Sequence, residues 1–397
     1  MTDAVVVEVV RTASGKGKPG GKLSGVNPTD LLAGVLDALV ERSGIDPERI
    51  DDVLVGCVTQ AGEQSTNIAR RAVLSSVLPD TVPATTIDRQ CGSSQQAVHF
   101  AAQGVLAGAY DVVIAAGVES MSRVPIGSAR GTGGLNGERF TTRFPEGLVH
   151  QGVSAELLAA RWKLDRATLD EFSARSHRLA AQAQQSGFFD REIVPVRIGG
   201  TDERPEWHTV DETVRPDTTV EKLAALSPSF VDPAIAQRFP EITWCITPGN
   251  SSPLTDGASA ALIMRADLAE RLGLRARARF RAFSVVGDDP LLMLTGPVSS
   301  TRQVLARAGL TIDDLDAYEV NEAFAPVPLV WLRELGADPE RLNPRGGAIA
   351  LGHALGSSGT RLLGTLINHL EATGGRLGLQ TMCEGGGMAN SLIVERL

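Results

Sequence analysis

Cysteine and aromatic residues are scarce in this sequence of 397 residues. Phe, Trp and Tyr together make up only 4% of it, which argues against a binding module lined by aromatic rings. There are four cysteines and none stands in a C-x-x-C pair, so neither a disulfide framework nor a zinc ribbon is expected. A cysteine that matters in this chain therefore matters as a thiol.

A net positive charge and long apolar runs are also missing. The formal net charge is -9 at pH 7, which leaves no basic field of the kind that binds phosphate backbones. The first residues, M-T-D-A, carry an acid where a signal peptide carries positive charge, and no apolar run approaches the ~18 residues that a membrane span needs. We therefore expect a cytoplasmic protein with no nucleic-acid or membrane partner.

The six histidines form no metal-binding pattern. None of them stands in H-E-x-x-H or beside a cysteine at the spacing of a zinc site. The four tryptophans are too dispersed to form a cofactor box. We therefore expect no metal and no tightly bound cofactor.

Short β-branched runs alternate with helical patterns through the first third of the chain. Strand patterns lie at residues 4–10, 53–58, 85–87 and 112–118. Asn27 and Pro28 predict a helix start, with the asparagine as N-cap, and helical spacing recurs at 68–78 and 92–106. This alternation predicts an α/β fold with a parallel sheet that is covered on both faces.

The composition and the hydrophobic pattern of the sequence change between residues 122 and 247. The segment begins with many glycines and continues with charged amphipathic helical patterns. Its stretch 204–216 has no strong period and is predicted to be a surface loop. We interpret residues 122–247 as an inserted domain.

After the insertion the alternation of strands and helices resumes, so that the same order appears twice. One local match anchors the two copies, because Gly92-Ser93-Ser94 and Gly356-Ser357-Ser358 each open a helix that precedes a strand. We therefore predict a duplicated fold. Residues 1–121 with 248–272 form one half, residues 273–397 form the other, and equivalent loops of both halves face one site.

Cys91 has the setting of a nucleophile. It lies in T-I-D-R-Q-C-G-S-S, between a predicted strand and a predicted helix, where the helix dipole and unpaired amide groups favour an anion. We expect its thiol to ionise more easily than a free thiol, whose pKa is ~8.5. The alternative is a small buried residue without chemistry, which is what free cysteines usually are.

Three other residues could carry chemistry, each with an alternative. His353 lies in a glycine-dense stretch that can approach a ligand closely, and its imidazole can exchange a proton near neutral pH, but it could also be a surface histidine on a structural loop. Cys383 opens C-E-G-G-G-M at a predicted strand end and could be an acid–base group or a redox partner of Cys91. Asn321 could hold a water or a substrate oxygen, or cap the next helix.

Several motifs stand in the order and at the separations of one family. Over essentially its whole length the chain resembles the thiolases, which make or cleave 3-ketoacyl thioesters of coenzyme A. The motifs are D-R-Q-C-G-S-S, G-V-E-S-M-S, G-N-S-S-P-L-T-D-G-A, M-L-T-G-P, N-E-A-F-A, G-G-A-I-A-L-G-H-A-L-G and C-E-G-G-G-M. The resemblance implies a thiolase-like fold, a duplicated five-layered αβαβα core with an inserted loop domain. It also implies that this domain contributes to coenzyme A binding and to the contacts of a homodimer or homotetramer.

The resemblance implies a role for individual residues of the reaction site. Cys91 would be the acyl-accepting nucleophile, His353 its proton partner and Cys383 the second acid–base group. Asn321 would hold a water that forms one oxyanion hole together with the histidine. The backbone amides of Cys91 and Gly385 would form the other oxyanion hole.

Coenzyme A would enter as a substrate, and the resemblance implies four contacts for it. His150 and Ser252 would lie near its pantetheine arm, Arg215 near its adenine end, and Met293 along the acyl pocket.

Six positions depart from the commonest thiolase pattern, and none of them removes a reacting group. The departures are Ser94 and Leu294 for glycine, Gln151 for methionine, Ser227 for arginine, Ala354 for proline and Glu384 for an apolar residue. They leave the length and type of the acyl chain open.

The function that the resemblance implies is acyl transfer between acyl-CoA and acetyl-CoA. A 3-ketoacyl-CoA and coenzyme A would give acetyl-CoA and a shortened acyl-CoA through an acyl group on Cys91, in lipid breakdown or β-oxidation. A biosynthetic acetoacetyl-CoA thiolase running the reverse Claisen condensation is the first alternative. A decarboxylating ketoacyl synthase, a non-catalytic acyl-CoA or lipid carrier and a dithiol redox protein are weaker ones, because the first relies on a histidine where this chain has Cys383 and a carrier would be expected to lose reacting residues.

Overall fold

The computed structural model describes residues 3–131 and 133–397. Its strands are β1 (Ala4–Thr12), β2 (Gly15–Lys16), β3 (Asp52–Gly56), β4 (Ala84–Ile87), β5 (Val112–Ser120), β6 (Ile193–Val194), β7 (Val196–Gly200), β8 (Pro205–His208), β9 (Thr255–Arg265), β10 (Ala278–Gly287), β11 (Ala317–Val320), β12 (Leu377–Glu384) and β13 (Met388–Arg396). Its α-helices are α1 (Pro28–Ser43), α2 (Ile68–Val73), α3 (Ser93–Ala107), α4 (Glu138–Arg143), α5 (Gln151–Trp162), α6 (Arg166–Gln185), α7 (Val220–Ala224), α8 (Pro233–Arg238), α9 (Ala266–Arg271), α10 (Gly296–Ala308), α11 (Pro326–Leu335), α12 (Ala348–Leu351) and α13 (Ser358–Thr373). Short 3₁₀ helices lie at Pro47–Arg49, Gly62–Gln64, Ser128–Arg130, Ile312–Asp314 and Pro339–Arg341.

Most strands join one sheet, whose two halves have the same plan. Its order is β11-β12-β13-β10-β1-β9-β5-β3-β4, with β2 paired to β9 and β6 to β1. In the first half β3 and β5 are parallel, while β9 is antiparallel to both β5 and β1. In the second half β11, β12, β13 and β10 repeat these directions, and a single parallel bridge between Tyr318 and Leu342 stands where β4 lies in the first half. The repeated order confirms the predicted duplication.

The sheet is mixed, so the prediction of a parallel sheet was wrong. The antiparallel strands β9 and β13 were not predicted. Strand β13 follows β12 through a tight hairpin, in which Gly386 and Gly387 have φ values of +85° and +76° that glycine adopts without strain. A hairpin reverses the chain directly, whereas only a crossover helix would have kept the two strands parallel.

Three layers of helices enclose the two halves of the sheet. Helices α3 and α13 pack against each other and against strands of both halves, around a shared apolar core that includes Val6, Leu54 and Leu366. Helices α1 and α2 cover the outer face of the first half, and α10 and α11 cover that of the second. The result is the five-layered αβαβα arrangement.

Helix α1 begins and ends where the local sequence predicts. The Asn27 side chain accepts a hydrogen bond from the Thr29 backbone N–H at 2.9 Å, and Pro28 occupies the first helical position. Gly44 ends the helix with a φ of +69° and donates its N–H to the Val40 carbonyl.

The segment between β5 and β9 packs on the outer face of the second half through α5 and α6. The prediction of a surface loop at 204–216 was wrong in part, because most of these residues are exposed but β8 lies there and pairs with β7. Asp211 in the same stretch is buried and binds the buried guanidinium of Arg11, with Nη1 and Oδ1 2.7 Å apart. Because a buried ion pair adds no apolar period to the sequence, the pattern gave no sign that Asp211 is buried.

In the described part of the chain, no helix combines the length and apolarity that crossing a membrane requires.

Candidate active site

The first turns of the two central helices meet in the middle of the molecule. The Ser94 hydroxyl of α3 accepts a hydrogen bond from the Thr360 backbone N–H of α13 at 3.1 Å. Gly359 lies so close to the Gln95 backbone that a Cβ atom would overlap it. Both helices therefore direct their N-terminal ends, where the helix dipole is positive, to one place at the boundary between the halves.

Cys91 lies at this place, directly before Gly92 and α3. It is only 6% exposed and packs with Leu362 and Met382. Burial raises the pKa of its thiol to about 12, and the charges of Glu384 and, to a smaller extent, Glu119 add to this, while a hydrogen bond from the Gln151 side chain opposes it. The expectation of an easily ionised thiol was wrong, because burial and a neighbouring carboxyl outweigh the helix end. The resting group is a neutral thiol.

Cys383 lies at the end of β12 and shares this site. It is fully buried, and burial raises the pKa of its thiol well above the ordinary value, with the charges of Cys91 and Glu384 contributing. Two contacts join the strand ends to the Cys91 segment. The Asn390 side-chain amide of β13 donates to the Gly92 carbonyl at 3.0 Å, and Gly385 lies against the Gln90 side chain.

His353 is held by one hydrogen bond from its backbone and one from its ring. Its backbone N–H donates to the Thr255 hydroxyl at 2.9 Å, and its Nδ1 lies 2.6 Å from the Ser358 hydroxyl oxygen. Because the Ser358 hydroxyl donates to the Ala354 carbonyl at 2.9 Å, it accepts from Nδ1–H and leaves Nε2 as the basic nitrogen. Burial lowers the pKa of His353 to about 3, and the charge of Arg361 contributes, so the resting imidazole is neutral.

Asn321 stands beside this basic nitrogen. Its side-chain nitrogen lies 3.4 Å from Nε2 of His353, and its backbone N–H donates to the Thr381 carbonyl. The Oδ1 atom is buried and has no hydrogen-bond partner among the described residues. The alternative role as a helix cap is wrong, because Ala325 occupies the N-cap of α11 and no side chain caps it.

Two of the residues expected to contact coenzyme A lie on a path toward Asn321. His150 is exposed and is the N-cap of α5, and its ring centroid lies 5.4 Å from that of Phe230. The ring centroid of Phe230 lies 6.2 Å from that of Phe324, which belongs to the N-E-A-F motif. Ser252 is half-buried and donates its backbone N–H to the Ala323 carbonyl at 3.0 Å.

Arg215 lies at the outer end of the same region. Together with Lys16, His177 and Gly249 it lines a cavity of about 40 Å³, which also touches Pro253 next to Ser252. Arg215 itself is exposed. The side chains of Lys16 and Arg215 give this cavity two positive charges.

Met293 lies in the core rather than on this path. It is 7% exposed and belongs to the apolar cluster that contains Cys383. Its φ is +57°, a conformation that is strained for a residue other than glycine.

Sequence reasoning assigned no role to four side chains that hold the site together, although three of them lie in or beside the family motifs and the fourth, Gln151, is one of the departures from the family pattern. Ser358 and Thr255 orient His353, and Gln151 reaches Cys91. Glu119 is fully buried and accepts hydrogen bonds from the backbone N–H groups of Val58, Thr59 and Gly356, which ties the first half to the loop of His353. The available signal for Glu119 was an acidic residue directly after the apolar strand pattern at 112–118, in the motif G-V-E-S-M-S.

Within residues 3–131 and 133–397, no group of three or more His, Cys, Asp or Glu side chains is placed to hold a metal ion.

Comparison with known proteins relates the whole chain to one family. The family model "Thiolase, N-terminal domain" matches residues 4–267, and "Thiolase, C-terminal domain" matches residues 274–396. The sequence is 44% identical to the steroid 3-ketoacyl-CoA thiolase FadA6 of Mycobacterium tuberculosis, over 100% of this chain and 95% of that protein. It is 42% identical to the 3-ketoacyl-CoA thiolase of Marinobacter nauticus, over 100% and 98%. The crystal structure of the Bacillus anthracis acetyl-CoA acetyltransferase matches with a TM-score of 0.89 at 36% identity, covering 100% of this chain and 99% of that one.

Proposed function

From the premise that the chain belongs to the thiolase family, we propose that it is an acyltransferase that cleaves 3-ketoacyl-CoA with coenzyme A in lipid breakdown. Relatives named 3-ketoacyl-CoA thiolase support the degradative direction. The observation that carries the proposal is that Cys383 and Cys91 interact electrostatically, while His353 is hydrogen-bonded to Ser358 in the first turn of α13, the helix whose first turn meets that of α3 directly after Cys91. Two thiols at one site suit a reaction in which one carries the acyl group while the other moves a proton.

In the first half-reaction, the Cys91 sulfur attacks the 3-keto carbon while its proton passes to Nε2 of His353. The bond between C2 and C3 then breaks, and its electron pair leaves as the enolate of acetyl-CoA. The Cys383 thiol protonates C2 of this enolate and becomes a thiolate. Acetyl-CoA departs, and the shortened acyl group remains as a thioester on Cys91.

In the second half-reaction, coenzyme A gives its thiol proton to the Cys383 thiolate. The coenzyme A sulfur attacks the acyl carbonyl on Cys91, and the bond from that carbon to the Cys91 sulfur breaks. The proton held on His353 returns to this sulfur. Every group is restored, and the scheme predicts ping-pong kinetics.

The enolate oxygen needs the most stabilisation. Once Nε2 of His353 has taken the proton, it can donate to this oxygen, and the free Oδ1 of Asn321 can hold a water that donates beside it. The backbone amides of Cys91 and Gly385 would serve the acyl carbonyl. Removing one donor of this kind typically costs ~3 kcal/mol or more in the transition state.

The protonation states suit these roles. Cys383 must carry its proton at rest in order to give it to the enolate, and its raised pKa keeps it a thiol. Cys91 and His353 are both neutral at rest, so proton transfer accompanies the attack instead of preceding it.

Coenzyme A would bind along the path described above. The cavity bordered by Lys16 and Arg215 suits its phosphates, and the row from Ser252 and His150 to Phe324 suits the pantetheine arm. Met293 would limit the acyl pocket from the core side.

The division of the chain is part of the proposal. Residues 1–121 with 248–272 and residues 273–397 would be the two halves, and residues 122–247 the inserted domain. We also propose a homodimer or homotetramer in the cytoplasm. Large apolar side chains exposed on the first half and the insertion support the assembly, among them Leu74, Val77, Phe100, Ile126 and Leu135.

A panel of 3-ketoacyl-CoA esters with linear, branched and polycyclic chains tests the function. Loss of the ketoacyl thioester on addition of coenzyme A, with a new acetyl-CoA for each one lost, is expected for at least one class. Mass spectrometry should find the acyl adduct on Cys91. No cleavage of any ester and no adduct would refute the proposal, and a Cys91–Cys383 disulfide alone would favour a redox protein.

A further inference from the structure

Glu384 is a buried carboxyl group without a hydrogen bond. It is 0% exposed, and neither carboxyl oxygen has a partner among the described residues. Oε1 lies so close to Gly92 that a Cβ atom on that glycine would overlap it. The carboxyl group of Glu384 therefore contacts Gly92, the residue that follows Cys91. Glu384 itself follows Cys383 in the sequence.

The first half of the molecule contains a matching carboxyl group with the opposite environment. Glu119 lies near the end of β5, the counterpart of β12, and meets Gly356 at the start of α13 just as Glu384 meets Gly92 at the start of α3. Glu119 receives hydrogen bonds from three backbone N–H groups and the Gln64 side chain. Donors that stabilise a carboxylate are thus present in one half and missing in the other.

The groups around Glu384 do not replace these donors. The charge of Arg89 favours the ionised form of Glu384, and the charge of Asp88 opposes it. The other titratable groups of this region are Cys91, Cys383 and Glu119, whose charge also raises the pKa of Cys91. On α3, His99 is affected by the charge of Arg89, and its ring nitrogens have no hydrogen-bond partner within the described residues. From β13, the Asn390 side chain approaches the same point with its nitrogen engaged on Gly92 and its Oδ1 free to accept. A protonated carboxyl group can donate to such an oxygen, whereas a carboxylate cannot.

We propose that Glu384 is a positioning residue for Cys91, a carboxyl group that stays protonated while the thiol accepts its acyl group and that suppresses the thiolate once it ionises. The proposal rests on the function proposed above, because it assigns Cys91 as the acyl acceptor. It adds a residue that acts through Cys91 and does not touch the reacting carbons.

The electrostatic coupling has a measurable form. Burial raises the pKa of Glu384 to about 8, and its charge in turn raises the pKa of Cys91. Below about pH 8, the thiolate forms beside a neutral carboxyl group, and its amount rises about tenfold per pH unit. Above that pH, Glu384 is mostly ionised, and its charge opposes formation of the Cys91 thiolate. The thiolate then forms mainly in molecules whose Glu384 is still protonated, and their fraction falls as pH rises, so the amount of thiolate levels off.

Alkylation by iodoacetamide measures this thiolate without any acyl-CoA. The thiolate forms a carbon–sulfur bond and iodide leaves, and peptide mass spectrometry assigns the product to Cys91. In the unaltered protein we expect the logarithm of the rate to rise from about pH 6 and to level off near pH 8. In Glu384→Gln, which keeps the shape of the side chain and cannot ionise, the rate should continue to rise through pH 8. Glu384→Leu serves in the same way if the glutamine variant does not fold.

Glu319→Gln is the matched control. Glu319 is another fully buried carboxyl group of the second half that has no hydrogen-bond partner in the described part of the chain, but its charged neighbours are Arg361, Arg345 and other carboxylates, not Cys91. This variant should keep the break near pH 8. A rate that rises through pH 8 in the unaltered protein, or the same break in Glu384→Gln, overturns the proposal.

The outcome is separate from the test of the overall function. A break that depends on Glu384 in a protein that cleaves no ketoacyl-CoA would refute the proposed function and leave the coupling to Cys91 standing. Cleavage with no such break would refute the role of Glu384 alone. The pH profile of acyl transfer to Cys91 in an active preparation should show the same difference between the two proteins.

Discussion

Ser358 holds the imidazole of His353 through a hydroxyl oxygen 2.6 Å from Nδ1. The same hydroxyl donates to the Ala354 carbonyl, so the ring carries its proton on Nδ1 and turns Nε2 toward Asn321. The orientation of the proton acceptor therefore depends on a residue in the first turn of α13.

Replacing Ser358 by alanine should lower kcat by about 100-fold, because the ring loses the partner that fixes its tautomer and its position. KM for the ketoacyl-CoA should change little, since Ser358 is buried and lies behind the ring. Steady-state kinetics on the substrate that the panel identifies would measure both. Ser358→Thr, which restores the hydroxyl, should recover much of the rate, and a variant with unchanged kcat would remove Ser358 from the mechanism.

Variants of the two cysteines should block different steps of the reaction. Cys91→Ala should form no acyl-enzyme and release no acetyl-CoA. Cys383→Ser should still accept an acyl group on Cys91 but exchange the methyl protons of acetyl-CoA with solvent deuterium very slowly, because a hydroxyl is a far weaker acid. Nuclear magnetic resonance would follow the exchange, and rapid exchange in Cys383→Ser would contradict the assignment.

Cys57→Ala is the control for these variants. Cys57 is fully buried directly after β3 and takes no part in the proposed reaction. Its loss should leave both half-reactions intact and cost only a modest amount of stability through the small cavity that it creates.

Stability should depend on pH through Glu384. The folded state raises the pKa of this group from 4.5 to about 8, so between these values the unfolded chain releases a proton that the folded chain keeps. The contribution is full below about pH 4.5 and is lost as pH rises toward 8, by up to about 1.4 kcal/mol per pH unit. Relative to Glu384→Gln, the unaltered protein should therefore lose Tm steadily over this range in thermal melts. Parallel Tm profiles would show that the carboxyl group is ionised throughout.

Arg11 should be important for folding. Its guanidinium is buried and binds both Glu192 and Asp211, with nitrogen–oxygen distances of 2.6 and 2.7 Å. Arg11→Met would leave two buried carboxylates without their partner, which should lower the free energy of unfolding by about 3–5 kcal/mol in chemical denaturation. An exposed pair, Lys22 and Glu206, offers the comparison, and Lys22→Met should change stability by less than about 1 kcal/mol.

The sequence predicted the features that depend on local signals. Asn27 and Pro28 placed the start of α1, and the glycine-serine motifs marked the starts of the central helices. It did not predict β13, because Asn390 and Ser391 interrupt its apolar pattern although both are buried and hydrogen-bonded. Polar residues that find partners inside a sheet cannot be told from surface residues by periodicity.

The motifs also supplied the proposed reacting groups, but the local sequence gave the wrong direction for the pKa of Cys91. The local sequence showed only the helix end that favours a thiolate. The opposing carboxyl group of Glu384 comes from the other half of the chain, and its closeness to Cys91 exists only after folding. Electrostatics between the halves cannot be read from either half alone.

The position of β1 in the sheet has a consequence for synthesis of the protein. This strand lies between β9 and β10, and its Thr12 hydroxyl accepts from the Ala258 backbone N–H, 246 positions further along the chain. An apolar strand of the nascent polypeptide therefore leaves the ribosome long before translation has produced either neighbour. Until then its edges are open to other chains, so newly made protein is most prone to aggregate before β9 emerges.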